Sequence, residues 1–186
     1  MSGYERWVNQ PLLLQAVVFA SQKHRDQLRK DGRTPYINHP LQVALLLSDI
    51  AAVTNSGVLA AAVLHDTVED TDTTIGEVAA HFGDRVAALV LEVTDDDTMP
   101  YRQRKQYEID HAPQLSDYAT LIKVADRTAN VQDLIEAPAA GWTIERRQQY
   151  LDWAEQVVNN CRPVNGALAE NFAEVARRVR HQLGVR

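Results

Sequence analysis

The densest chemistry in the sequence is His65-Asp66-Thr67-Val68-Glu69-Asp70. It follows the apolar run Val58–Leu64, so an imidazole and a carboxylate stand at the polar end of a helix suited to burial. Glu69 falls four residues after His65, and Asp70 four after Asp66, a spacing that stacks side chains on one helical face. Three carboxylates and an imidazole then crowd a small area. Like charges that close repel, the more so out of water. A bound cation relieves both costs; a solvated helix end with incidental acids is the plainer alternative.

Three further segments offer partners. In Tyr36-Ile37-Asn38-His39-Pro40, His39 stands at a helix start, where it either projects into a cleft or serves a structural role. Lys123-Val124-Ala125-Asp126 puts a carboxylate into an apolar helix, with Asn130 one turn on. A buried Asp needs a partner, and an ion pair with Lys123 or Arg127 would satisfy it. Arg29-Lys30, with Arg33 nearby, forms a compact basic loop just before His39, either solvated or facing an anion.

The elements that must position these groups read as helices almost throughout. Pro11–Leu28 repeats Leu12, Ala16, Phe19 and Ala20 at helical spacing, with Asn9 as its cap. Lys30–Pro35 reads as a loop, His39–Ile50 as a second helix and Ser56–Val68 as a third. Thr74-Ile75-Gly76-Glu77 has the form of a capping box and starts a fourth. Asp84–Thr94, Tyr101–His111, Ser116–Leu134, Thr143–Asn160 and Val164–Leu183 follow, with a loop at Asp95-Asp96-Asp97 and a break at Pro113. About nine helices joined by short loops predict an all-α fold, a single helical bundle over residues 1–186.

Composition narrows the function. Nineteen Lys+Arg against 25 Asp+Glu give a net charge of −6, which argues against a nucleic-acid binder. The single cysteine, Cys161, forms no internal disulfide and excludes a cysteine-based zinc module. The longest apolar run has seven residues, far short of a membrane span. With no signal-peptide pattern at the N-terminus, a cytoplasmic location is expected.

His39, His65-Asp66 and Asp126 fall in the order and approximate spacing of the HD-domain metal-dependent phosphohydrolases, and the chain resembles them. Arg29-Lys30-Asp31, Thr34–Pro40, Leu64–Thr71, Phe82-Gly83 and Val93–Asp96 narrow this to the hydrolase domain of RelA/SpoT-type alarmone enzymes. The chain is most similar to their stand-alone small alarmone hydrolases, over roughly residues 12–160.

The resemblance implies an HD fold that hydrolyses the 3′-pyrophosphate of (p)ppGpp to GDP or GTP and pyrophosphate. It implies one Mn²⁺ held by His39, His65, Asp66 and Asp126, although that donor set also serves zinc or iron. Glu69 and Asp70 match the family's Glu-Asp pair, placed to orient or deprotonate an attacking water. Arg29, Lys30, Asn130, Arg146 and Tyr150 match positions beside the nucleotide. Where the sequence departs from the family (Ala129, Gln132, Asp97 and Tyr101), affinity and substrate choice are at stake. A related phosphatase acting on another nucleotide such as NADPH is a second reading, and a module that binds alarmone without cleaving it a third. The long family members carry a synthetase domain downstream, so no (p)ppGpp synthesis is expected of this chain. Trp142 and Trp153 read as core, and the Asp95-Asp96-Asp97 turn as solvated. Oligomeric state is not legible in the sequence.

Overall fold

The computed structural model describes residues 10–96 and 98–184; the cap expected at Asn9 and the departure at Asp97 lie outside them. In chain order the helices are α1 (Gln10–Lys23), α2 (Asn38–Asp49), α3 (Ser56–Leu64), α4 (Thr67–Asp70) and α5 (Ile75–Phe82). Then come α6 (Asp84–Val93), α7 (Tyr101–His111), α8 (Asp117–Glu136), α9 (Ile144–Asn160) and α10 (Gly166–Gln182). Nine of these have eight residues or more, α4 is a single turn, and a short 3₁₀ turn at Ala112–Gln114 marks the Pro113 break. Among the described residues the only extended pairing is one isolated bridge.

Two helices form the centre. The α3 helix is apolar on every side, with Ala60, Ala61, Ala62 and Leu64 fully buried, and it packs against α1, α2 and α6. Its alanines let neighbouring backbones approach closely, and each fully buried Val or Leu contributes roughly 1.5–3 kcal/mol. The α8 helix is buried continuously from Ala119 to Ala129 and packs against α2, α6, α9 and α10. A helix enclosed on all sides is a core strut rather than a surface element. The residues with chemistry hang from these two struts.

Side-chain caps fix the helix starts. Asn55, Thr74, Ser116, Thr143 and Asn165 each accept a backbone N–H in the first turn that follows. The Thr74 box is only half closed, because the Glu77 carboxylate turns away to meet Lys23 at 3.2 Å. Between α5 and α6, Gly83 has φ 85° and ψ 160°, a conformation open to glycine alone, and it allows the abrupt change of direction.

Two expectations shift. The first helix stops at Lys23, not Leu28. Beyond it, Arg29 N–H donates to Thr34 at 2.8 Å and Tyr36 N–H to Gln27 at 2.9 Å, a small bridged turn. Asp31 organises that turn by accepting from the Arg33 and Thr34 amides at 2.9 and 3.0 Å and from the Thr34 hydroxyl at 2.6 Å. The helix expected over Ser56–Val68 breaks after Leu64. There His65 Nδ1 donates to the Ala62 carbonyl at 2.8 Å and the Thr67 hydroxyl to the Leu64 carbonyl at 2.6 Å. Side chains thus take the acceptors that the next helical amides would use.

Candidate metal centre and cleft

Four residues from three directions meet at one point. His39 is the second residue of α2, His65 ends α3, Asp66 precedes α4, and Asp126 lies mid-way along α8. One donor atom each from His39, His65 and Asp126 lies within 4.8 Å of the others, and all three residues are buried. His39 Nε2 is 3.0 Å from Asp126 Oδ1 and 3.5 Å from Asp66 Oδ2. His65 Nε2 is 3.1 Å from Asp66 Oδ1 and 3.7 Å from Asp126 Oδ1.

The donor set fits a divalent cation. His65 Nε2 is fully buried without a hydrogen-bond partner although two carboxylates lie close, so its alignment suits a shared centre better than either neighbour. Burial opposes protonation of His65, but Asp66 and Asp126 outweigh it and lift its pKa to about 9. Burial holds His39 below its ordinary value, against the pull of Asp126. Asp66 and Asp126 lie low despite burial, Asp66 through His65 and His39, Asp126 through Arg127 and both imidazoles.

A second layer holds these groups. The Tyr36 hydroxyl donates to Asp66 Oδ2 at 2.7 Å, and the Tyr36 ring stacks on buried His24 at 4.7 Å. Asp126 Oδ2 meets Arg127 Nη1 at 2.9 Å, and Asp126 Oδ1 accepts from Asn130. Arg29 donates to Asn130 Oδ1 and to Asp133, both at 2.7 Å. Arg127 also pairs with buried Glu108, whose other neighbours are Lys105 at 3.1 Å and Lys123 at 3.9 Å. Burial alone would raise Glu108; Arg127 and the lysines pull it down to about 2. The expected ion pair of Asp126 therefore exists, with Arg127, while Lys123 turns to the Val93 carbonyl at 3.2 Å and Asp95 at 3.4 Å.

These groups line a cleft of about 320 Å³. It brings together every residue singled out by the sequence: His39, His65, Asp66, Asp126, Glu69, Asp70, Arg29, Lys30, Asn130, Arg146 and Tyr150. Glu69 accepts the Asp95 N–H at 3.3 Å. Burial, with Asp95 and Asp66 nearby, raises its pKa to about 7. Asp70 is exposed at the rim. Arg146 lies over the Trp142 ring at 5.0 Å, and Tyr150 packs between Trp142 and Trp153.

Sequence reasoning missed several lining residues. Tyr36 was visible inside the His39 motif and Arg127 beside Asp126. Arg104 and Lys105 carry no local signal, since they reach the cleft only through the packing of α7 against α9, whereas Asp95 was visible in the sequence but assigned to a solvated turn. Asp95 is no solvated turn residue; its side chain is 15% exposed and faces Lys123. Trp142 is a cleft wall as well as a packing residue. Of the departures, Tyr101 lines the cleft. Ala129, whose lone methyl is enclosed in the core, does not, and Gln132 bonds outward to Glu136 at 2.9 Å.

The sequence pattern of the HD domain matches residues 16–151. The chain belongs to the HD-domain family. Within the HD-domain family it is of the RelA/SpoT type. It is 50% identical over 159 residues to human guanosine-3′,5′-bis(diphosphate) 3′-pyrophosphohydrolase MESH1, covering 85% of this chain and 89% of that one. The counterpart of the same name from Xenopus tropicalis is 49% identical over 158 residues, covering 84% and 88%. A solved structure described as a metazoan ortholog of SpoT that hydrolyses ppGpp superposes with a TM-score of 0.86 at 44% identity, over 90% of this chain and 94% of that one. Arrangement, sequence and backbone therefore agree on an HD-domain hydrolase.

Proposed function

We propose that the protein is a Mn²⁺-dependent guanosine-3′,5′-bis(diphosphate) 3′-pyrophosphohydrolase built as one HD-type domain. The observation that carries this reading is the cleft, in which a buried two-histidine, two-aspartate centre adjoins an acid raised to about 7 and several cations. The names of the similar proteins supply the substrate class.

His39, His65, Asp66 and Asp126 would hold the cation, which when bound supplies positive charge to the phosphate oxygens and acidifies a bound water. Glu69, part-buried and titrating close to neutrality, accepts a proton from the attacking water. Asp70, one residue on at the rim, orients that water. Water adds to the phosphorus next to the ribose, the O3′–P bond breaks, O3′ departs with the nucleoside and takes up a proton, and pyrophosphate is released. Lys30 and Arg146 meet phosphate charge, while Arg29, Asn130 and Tyr150 shape the nucleoside side. Manganese rests on the resemblance, because the donors alone also suit zinc or iron. Among the described residues no helix is long and apolar enough to cross a membrane, consistent with a cytoplasmic enzyme acting on a free nucleotide.

The test is direct. Purified protein is incubated with ppGpp, pppGpp, NADPH and GTP, with Mn²⁺ and with chelator, and the products are resolved. Metal-dependent pyrophosphate release from ppGpp supports the reading. Phosphate release from NADPH alone, or alarmone binding with no product, replaces it with one of the two alternatives.

A further inference from the structure

The cations around the cleft divide into two classes. Arg29, Lys105, Lys123 and Arg127 are each engaged by carboxylates at 2.7–3.4 Å or closer. Lys30, Arg104 and Arg146 line the same cleft with no ion pair among the described residues. Glu108, four residues after Arg104, is taken by Arg127 and Lys105, and Asp96, which feels the Arg104 charge only at longer range, accepts from the Thr98 amide at 3.0 Å and the Thr98 hydroxyl at 2.6 Å. A half-buried guanidinium that lines a cleft with no carboxylate in ion-pair contact among the described residues is poised for an anion from solution.

Position says which anion. Lys30 borders a recess walled by Trp142 and Tyr150, flat aromatic surfaces suited to a nucleoside. Arg104 lies elsewhere, on α7, one turn after Tyr101. On that side of the cleft Asp95, in the segment between α6 and α7, donates its amide to Glu69, and its carboxylate meets Lys123 at 3.4 Å. With the nucleoside against Trp142 and Tyr150 and the reacting phosphorus at the histidine-aspartate centre, the outer part of the diphosphate would extend toward Glu69 and α7.

We propose that Arg104 binds the terminal phosphate of the 3′-diphosphate, the half of the product pyrophosphate that is not attacked. This inference rests on the pyrophosphohydrolase reading. In the step, a water oxygen joins the inner phosphorus, the O3′–P bond breaks, and O3′ takes up a proton. Arg104 forms no covalent bond; it holds the diphosphate so that O3′, the departing atom, lies opposite the attacking water, and it then releases the pyrophosphate formed.

Product inhibition tests it. Inorganic pyrophosphate and GDP are titrated against ppGpp hydrolysis by the wild type, Arg104→Ala and Arg104→Lys. The expected result for Arg104→Ala is a Ki for pyrophosphate about tenfold or more higher, a parallel rise in KM and an unchanged Ki for GDP. Arg104→Lys recovers part of the loss. An unchanged pyrophosphate Ki, or a GDP Ki that rises by the same factor, overturns the assignment. If the wild type leaves ppGpp intact, the enzymatic reading fails on its own. Calorimetric binding of pyrophosphate to Mn²⁺-loaded wild type and Arg104→Ala then reads the subsite: tenfold weakening supports it and equal affinity overturns it.

Discussion

Filling the metal centre at neutral pH must expel one proton, and His65 is its source. Without a cation its pKa is about 9, because Asp66 and Asp126 stand 3.1 and 3.7 Å from Nε2. His39 is held below its ordinary value and the two aspartates lie low, so at pH 7 those three are already in ligating form. Stripping the His65 proton at pH 7 costs about 2.7 kcal/mol of binding energy. Apparent Mn²⁺ affinity is therefore expected to climb roughly tenfold per pH unit from pH 6.5 to 8 and to level off above 9. Titration calorimetry in two buffers of different ionisation enthalpy counts the released protons, and the expected count is close to one. The same proton stabilises the metal-free fold. Since the folded pKa is raised, that contribution is complete below about pH 6.5 and disappears as pH climbs through 9, a loss of about 3 kcal/mol. Thermal denaturation of chelated protein is expected to fall over that window. Buffer-independent heats together with pH-independent affinity would refute the argument.

Other perturbations separate the parts of the site. Glu69→Ala is expected to keep Mn²⁺ binding and to lose turnover by a factor of about 100 or more, read as pyrophosphate release; full activity would sink the proton-acceptor role. Arg127→Met leaves Asp126 and Glu108 without their buried partner, an expected cost of about 3–5 kcal/mol that calorimetry would show as a Tm lower by about 6–20 °C. A Tm within two degrees of wild type contradicts it. Tyr36→Phe deletes the hydroxyl that holds Asp66, and Mn²⁺ affinity measured by calorimetry is expected to fall about tenfold with the fold intact. Unchanged affinity would mean that Asp66 is positioned without it.

The all-α architecture was legible because its helices carry their own punctuation. Thr74, Ser116 and Thr143 are short polar caps at the starts of periodic runs, and each acts as one. The four centre residues were legible as the ordered set His39, His65-Asp66 and Asp126, which the fold brings to one point. The break after Leu64 was not, because it depends on His65 and Thr67 turning back onto carbonyls, a choice periodicity does not record. Nor was the network of Glu108, Lys105, Lys123 and Arg127 visible. Its members come from α7 and α8, and exposed and buried charges look alike in a sequence. Arg29 illustrates the intermediate case. Its place at the cleft was foreseen, but its engagement by Asp133, more than a hundred residues away, was not.

The two enclosed helices have a consequence for dynamics. Buried on all sides, the amides along α3 and the middle of α8 are expected to exchange with solvent mainly through opening of the whole domain. His65 and Asp126 ride on that slowest-exchanging scaffold, whereas Lys30 rides on a bridged surface turn that opens at far lower energy. The proposed metal centre is thus tied to the most enclosed part of the molecule, and the basic loop at its mouth to a surface turn. Substitutions in the Lys30 turn are therefore expected to alter the mouth of the cleft while leaving the enclosed centre in place.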